Sequence, residues 1–169
     1  MTDNKRKDPI RILFISIEGN TRSFVHKLAE YAQEVCKQDK NARLIETVEV
    51  SDASGEILMK DPFVTFVPTY LSGGNGIHNG YTEIMTEELR FTLEDDDNYK
   101  FCYGVVGSGN KNFNAQYGLT AKHYASKFSF PLIDLYELRG TSVDVERIYT
   151  KLVTYQTEFE KKLKAFNGQ

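Results

Sequence analysis

The chain has 169 residues and a formal net charge of -3. That length suits one domain with a substantial core, and the acidic balance gives no basic face for nucleic acid. No apolar stretch approaches the ~20 residues of a membrane span, and charged residues 1–9 lack the apolar core of a signal peptide, so the expected location is the cytoplasm. Cys36 and Cys102 stand far apart, in neither a Cys-x-x-Cys nor a zinc-ligand spacing. Inert thiols and no metal site are expected.

Residues 1–9 read as a flexible tail and 10–169 as a single domain. Residues 10–17 (IRILFISI) form an apolar run expected to be a buried strand. Residues 21–37 follow as a helix, with Phe24, Val25, Leu28, Ala32 and Val35 on one face. Residues 43–50 alternate apolar and polar, as a half-buried or edge strand does. Residues 62–67 (PFVTFV) give a third strand, succeeded by a glycine-rich loop. Residues 81–93, carrying Ile84, Met85, Leu89 and Leu93, read as a helix. Asp95-Asp96-Asp97-Asn98 reads as a solvated break. Residues 101–106 form the fourth strand, 114–128 a helix, 131–138 (PLIDLYEL) the fifth strand and 143–166 a long closing helix. Thr141-Ser142-Val143-Asp144 before that helix has the form of a capping box.

Five strands alternating with helices predict an α/β fold: a parallel sheet covered on both faces, because each parallel crossover needs a helix. In such sheets a ligand lies beyond the C-terminal strand edges, where strand order reverses. The loops after strands one, three and four are the ones with unusual chemistry.

The first is Ser16-Ile17-Glu18-Gly19-Asn20-Thr21. It joins strand to helix in few residues, and a helix N-terminus with free amides accepts a phosphate. An ordinary N-cap by Asn20 explains the same residues equally well. Neither a Walker A lysine nor a Gly-x-Gly-x-x-Gly is present. Glu18 is expected to point outward, leaving the backbone to bind a single phosphate. The second loop runs from Pro68, Thr69 and Tyr70 through Leu71, Ser72, Gly73 and Gly74 to Gly80. Its glycines make it mobile without a ligand, and Tyr70 offers a ring for stacking. A surface connection is the simpler account, although loops this long in compact domains tend to be functional. His78 reads more simply as a solvated loop residue than as a proton donor.

The third loop is the most distinctive stretch of the chain: Gly107-Ser108-Gly109-Asn110-Lys111-Asn112-Phe113-Asn114-Ala115-Gln116-Tyr117-Gly118. Small residues at a strand end let a backbone approach a ligand with its N–H groups exposed. Asn110, Asn112 and Asn114 add amide groups, and Phe113 and Tyr117 add aromatic surface. This inventory suits a flat, polar-edged heterocycle.

Phosphate loop first and ring-binding loops later is an order that resembles the flavodoxin-like flavoproteins. In detail, Pro68-Thr69-Tyr70 with the glycine loop, Ser108 to Phe113 through Tyr117-Gly118, and Tyr136-Glu137-Leu138-Arg139-Gly140-Thr141 resemble the NrdI proteins. That flavodoxin-like family partners class Ib ribonucleotide reductases. The similarity runs from about Ile12 to the last helix, and residues 51–60 fall outside its distinctive motifs.

The resemblance implies a flavodoxin-like five-stranded parallel sheet, FMN as cofactor, and docking to the reductase small subunit. It further implies that reduced flavin meets dioxygen, and that superoxide or peroxide passes to a dimanganese site for tyrosyl-radical generation. The reductant that recharges the flavin is unidentified. Ser16 to Thr21 would hold the phosphate, while Pro68 to Gly74 and Ser108 to Phe113 would frame the ring. Tyr70, Phe113 and Tyr117 are the stacking candidates; Asn75, His78, Lys111 and Asn114 are rim candidates for partner contact. No side chain is needed as acid or base, because the cofactor carries the electron chemistry. A charge of only -3 repels an anionic reduced flavin less than a strongly acidic surface does.

A general electron-transfer flavodoxin without a dedicated partner is the alternative. A receiver-type signalling domain of the same fold needs clustered acids at the strand ends, and Glu18 stands alone there. A serine hydrolase is excluded because neither Ser16 nor Ser108 lies in Gly-x-Ser-x-Gly.

Overall fold

Apolar residues packed on both faces of a parallel sheet explain the continuous runs in the sequence. The computed structural model describes residues 6–69, 71–72, 82–83, 86–110 and 117–167, with only the backbone course given at 71–72 and 82–83. Strand β1 (Ile10–Phe14) leads to helix α1 (Asn20–Gln38), then to β2 (Ile45–Glu49) and β3 (Phe63–Pro68). Two short strands follow, β4 (Leu71–Ser72) and β5 (Thr82–Glu83), then helix α2 (Glu87–Glu94) and a 3-10 helix (Asp95–Phe101). Strand β6 (Cys102–Gly109), helix α3 (Leu119–Phe128), strand β7 (Leu132–Glu137) and helix α4 (Ser142–Asn167) complete the order.

The main sheet is five-stranded, in the order β2-β1-β3-β6-β7, and every pairing in it is parallel. Strands β3 and β6 are buried along their whole length, as central strands must be. The two-residue side-chain period divides each strand between two cores. Ile12, Phe14, Val64 and Phe66 meet Phe24 and Leu28 of α1 and Ile148 and Leu152 of α4. Leu13, Phe63, Val67 and Val105 meet Leu89 and Leu93 of α2 and Ala121 and Tyr124 of α3. Gly107 permits the tight seat of α3, since a Cβ there would collide with the Cβ of Ala121.

The Thr141–Asp144 capping box is formed. The Thr141 amide donates to Asp144 Oδ2 at 2.8 Å and the Asp144 amide to Thr141 Oγ1 at 3.3 Å. Cys36 and Cys102 are both free and buried. Among the described residues, no helix is long and apolar enough to cross a membrane. Arg6 lies against the domain, donating to the carbonyls of Cys36, Asp39 and Ala42.

Four expectations need correction. Strand β1 stops at Phe14, and residues beyond it turn toward α1 instead of extending to 17. The helix expected over 81–93 begins only at Glu87, because Thr82 and Glu83 pair antiparallel with Ser72 and Leu71. Ile84 and Met85 lie outside the described residues. The helix expected from 114 begins at Leu119, with 114–116 also outside them. Asn98 belongs to no solvated loop: it is fully buried, accepts the Met59 amide at 2.7 Å, and donates to the carbonyls of Ile57 and Thr92.

Candidate functional site

Strand order reverses at β1, which has β2 on one side and β3 on the other. Beyond its C-terminal end, residues 15–19 turn into α1. Gly19 caps that helix with φ of 91°, a left-handed conformation costly for a residue with a Cβ. Asn20 is therefore the first helical residue, and the N-cap role considered for it belongs to Gly19. The Ser16 hydroxyl oxygen accepts the amides of Gly19 at 3.0 Å and Arg22 at 3.3 Å, so Ser16 shapes the loop from within. Ile17 is half-buried and Glu18 exposed, its charge turned to solvent as expected. Thr21 is 1% exposed, yet among the described residues its hydroxyl has no hydrogen-bond partner. An unsatisfied buried hydroxyl is costly and unusual.

The second and third loops meet each other. The Thr69 amide donates to the Ser108 carbonyl at 2.8 Å, and Thr69 Oγ1 accepts the Thr120 amide at 3.0 Å. A Cβ on Gly109 would sit 3.5 Å from both Thr69 Cβ and Tyr117 Cδ2, and 3.4 Å from the Gly118 nitrogen. Pro68, Thr69, Ser108 and Gly109 are buried, while Asn110 and Tyr117 are half-buried. Burial first, then the charges of Glu137, Asp144 and Asp134, raise the Tyr117 phenol above its ordinary pKa, Arg147 opposing them. Leu71 and Ser72 form β4, the first side of a small hairpin closed by β5. Tyr70, Gly73, Gly74, Asn112 and Phe113 lie outside the described residues, as do Asn75, His78, Lys111 and Asn114.

Three features were not singled out in the sequence. The Gly109 carbonyl accepts the Leu138 amide at 2.9 Å, which ties the turn after β7 to this edge. Leu138 itself has φ of 54°, uncommon for a bulky side chain. Arg22 in the first turn of α1 grips Glu49 at the end of β2, with Nε–Oε1 at 2.7 Å and Nη2–Oε2 at 2.5 Å. Hydrogen bonding from Arg22 holds the Glu49 carboxyl below the usual range, against partial burial. The last pairing was not legible in the sequence, since its two residues stand 27 positions apart.

Loops converging at the C-terminal edge of a parallel sheet, at its switch point, define an α/β protein of the flavodoxin-like class. A short-chain flavodoxin associated with a non-canonical PDU bacterial microcompartment superposes with a TM-score of 0.57 at 18% identity, covering 89% of this chain and 97% of that one. Rubredoxin oxygen:oxidoreductase from Desulfovibrio gigas gives 0.54 at 15% identity, with 93% of this chain and 38% of the other covered. The family model described as NrdI Flavodoxin like matches residues 12–150. An NrdI-like protein of Streptococcus pyogenes is 44% identical over 149 residues, spanning 88% of this chain and 95% of its own length. Protein NrdI of Bartonella henselae is 33% identical over 149 residues, spanning 84% and 97%. The chain belongs to the NrdI flavodoxin-like family.

Membership of this flavodoxin-like family implies FMN as the cofactor. The residues present fit it. Thr21 holds a buried hydroxyl in need of a partner at the positive end of a 19-residue helix, which suits a phosphate monoester. Among the described residues, no cluster of three or more His, Cys, Asp or Glu is arranged for a metal ion.

Proposed function

We propose that this chain is an FMN flavoprotein that activates the small subunit of a class Ib ribonucleotide reductase. The observation that carries the cofactor half is the convergence of the 16–21 loop, Thr69 and Gly109 on one sheet edge. Family membership carries the partner half. When bound and reduced, the flavin supplies electrons to dioxygen, and superoxide or peroxide is delivered to a dimanganese site for radical generation.

The protein's part is to bind, orient and expose. In this reading Ile17, Glu18, Asn20 and Thr21 present backbone amides and the Thr21 hydroxyl to the phosphate, while Ser16 and Gly19 hold the loop's shape. Pro68 to Gly74 and Ser108 to Phe113 frame the ring, with Tyr70, Phe113 or Tyr117 against its face. Small residues at Ser108 and Gly109 keep the backbone close enough to meet polar ring edges. The same open edge receives the partner.

One test covers both halves. FMN added to the apo-protein should lose its fluorescence at one equivalent. The reduced, loaded chain with manganese-loaded small subunit and oxygen should then give a tyrosyl radical by electron paramagnetic resonance. Catalase and superoxide dismutase in the bulk should barely lower the yield if transfer is enclosed. FMN binding without radical under any condition would favour the plain electron-transfer flavodoxin.

A further inference from the structure

Arg22 stands where a cation is out of place. It occupies the first turn of α1, where the helix dipole already makes the surroundings positive. Its guanidinium is nonetheless fixed by the two-pronged contact with Glu49, the geometry of a strong arginine–carboxylate pair. That contact uses Nε and Nη2 and leaves Nη1 on the opposite edge of the planar fork. Nη1 lies 3.7 Å from the position a Cβ of Gly19 would take. The positive edge therefore borders the 16–21 loop, and the carboxylate of Glu49 lies behind it. Arg22 is too exposed, at 47% of its side chain, to be placed there by core packing.

We propose that Arg22, aimed by Glu49, gives this chain its preference for the phosphorylated flavin over riboflavin. The proposal rests on the reading of residues 16–21 as the phosphate loop. A phosphate monoester carries about -1.5 to -2 charges at neutral pH. The same loop bears the exposed acid Glu18, and the whole chain is net negative. Backbone amides and one hydroxyl supply hydrogen bonds to the phosphate but no full positive charge. Arg22 supplies that charge beside the loop without entering it, and the clamp keeps the long side chain from swinging into solvent. Riboflavin has the same ring and ribityl chain without the phosphate, so the difference between the two ligands isolates the contribution.

The experiment titrates FMN and riboflavin separately into the unaltered chain and into Arg22→Gln, Arg22→Lys and Glu49→Gln, following flavin fluorescence. Arg22→Gln should weaken FMN by about five- to tenfold, the scale of one charge pair near a protein surface, and leave riboflavin unchanged. The FMN deficit should shrink as salt is raised. Arg22→Lys should recover part of the loss, because it keeps the charge but not the fork. Glu49→Gln should weaken FMN less than Arg22→Gln does; tighter FMN binding there would show a merely neutralising Glu49 and overturn the aiming role. An unchanged ratio of FMN to riboflavin affinity in Arg22→Gln would overturn the proposal while leaving FMN as the ligand. Failure of the unaltered chain to bind FMN would overturn both.

Discussion

Thr69 and Thr120, 51 positions apart, are joined by a hydrogen bond in which the Thr69 hydroxyl oxygen accepts the Thr120 amide at 3.0 Å. Helix α3 begins after Gly118 without a side-chain cap of its own. Thr69 therefore closes an amide of its first turn from the position just after β3, doing what a local N-cap does elsewhere.

Thr69→Val keeps the side-chain shape and removes that acceptor. It should cost about 1–2 kcal/mol, the usual penalty for a lost cap or an unpaired buried amide. Thr69→Ser should retain most of the stability. Urea denaturation of both variants checks this, and equal midpoints for Val and Ser would show that the bond contributes nothing.

Thr21 should behave in the opposite sense. Its hydroxyl is buried without a partner among the described residues, so Thr21→Val removes an unsatisfied polar group and should stabilise the FMN-free protein by about 1 kcal/mol. The same change should weaken FMN binding if, as proposed, the hydroxyl pairs with the phosphate. Melting curves of the apo-protein and an FMN titration give the two signs independently.

Asn98 holds three backbone groups at once, the Met59 amide and the carbonyls of Ile57 and Thr92. Asn98→Ala leaves all three unpaired inside the protein and should cost about 3 kcal/mol or more. It precedes β6, and the residues it bonds, Ile57, Met59 and Thr92, belong to none of the proposed ligand loops, so FMN affinity should be unchanged when measured below the melting transition.

Burial pushes the Cys102 thiol up to about 12, hydrogen bonds with Gly104 and Thr65 offsetting only part of the effect. Burial likewise raises the Tyr103 phenol well above its ordinary value. An unfolded thiol titrates near ~8.5, so the unfolded chain releases the proton first as pH rises. Stability is then fully present below about pH 8.5 and is lost as pH climbs toward the folded value. Urea midpoints should be level from about pH 7 to 8 and decline above about pH 9, with a shallower decline in Cys102→Ala. Iodoacetamide at about pH 8 should label Cys102 in urea but not in the native protein.

The sheet was legible because its signal is local. Residues 10–14, 63–67 and 102–106 are apolar on both faces, and that pattern fixes central strands whatever else surrounds them. The start of α2 was not, since Thr82 and Glu83 are drawn into β5 by Ser72 and Leu71, ten or more residues upstream. Asn98 followed three aspartates and read as solvent-facing. Its true partners lie in residues 57, 59 and 92, and no window of sequence brings those together. At the proposed site, residues 16–21 and 107–110 were legible at the ends of β1 and β6 from their small residues. The engagement of Thr69 with Thr120 was not, because a hydroxyl at a strand end gives no sign of which distant helix it will cap.

The pairing of β4 with β5 also bears on how this family's loops can diverge. Two residue pairs hold the hairpin's sides together, and nine residues separate Ser72 from Thr82. Because the anchor is made by backbone bonds at the base, it does not read the sequence or length of what it closes. Doubling the enclosed segment would cost only about 0.6 kcal/mol in closure entropy. Insertions and deletions between those anchors can thus accumulate across relatives at almost no cost to folding while the sheet stays constant.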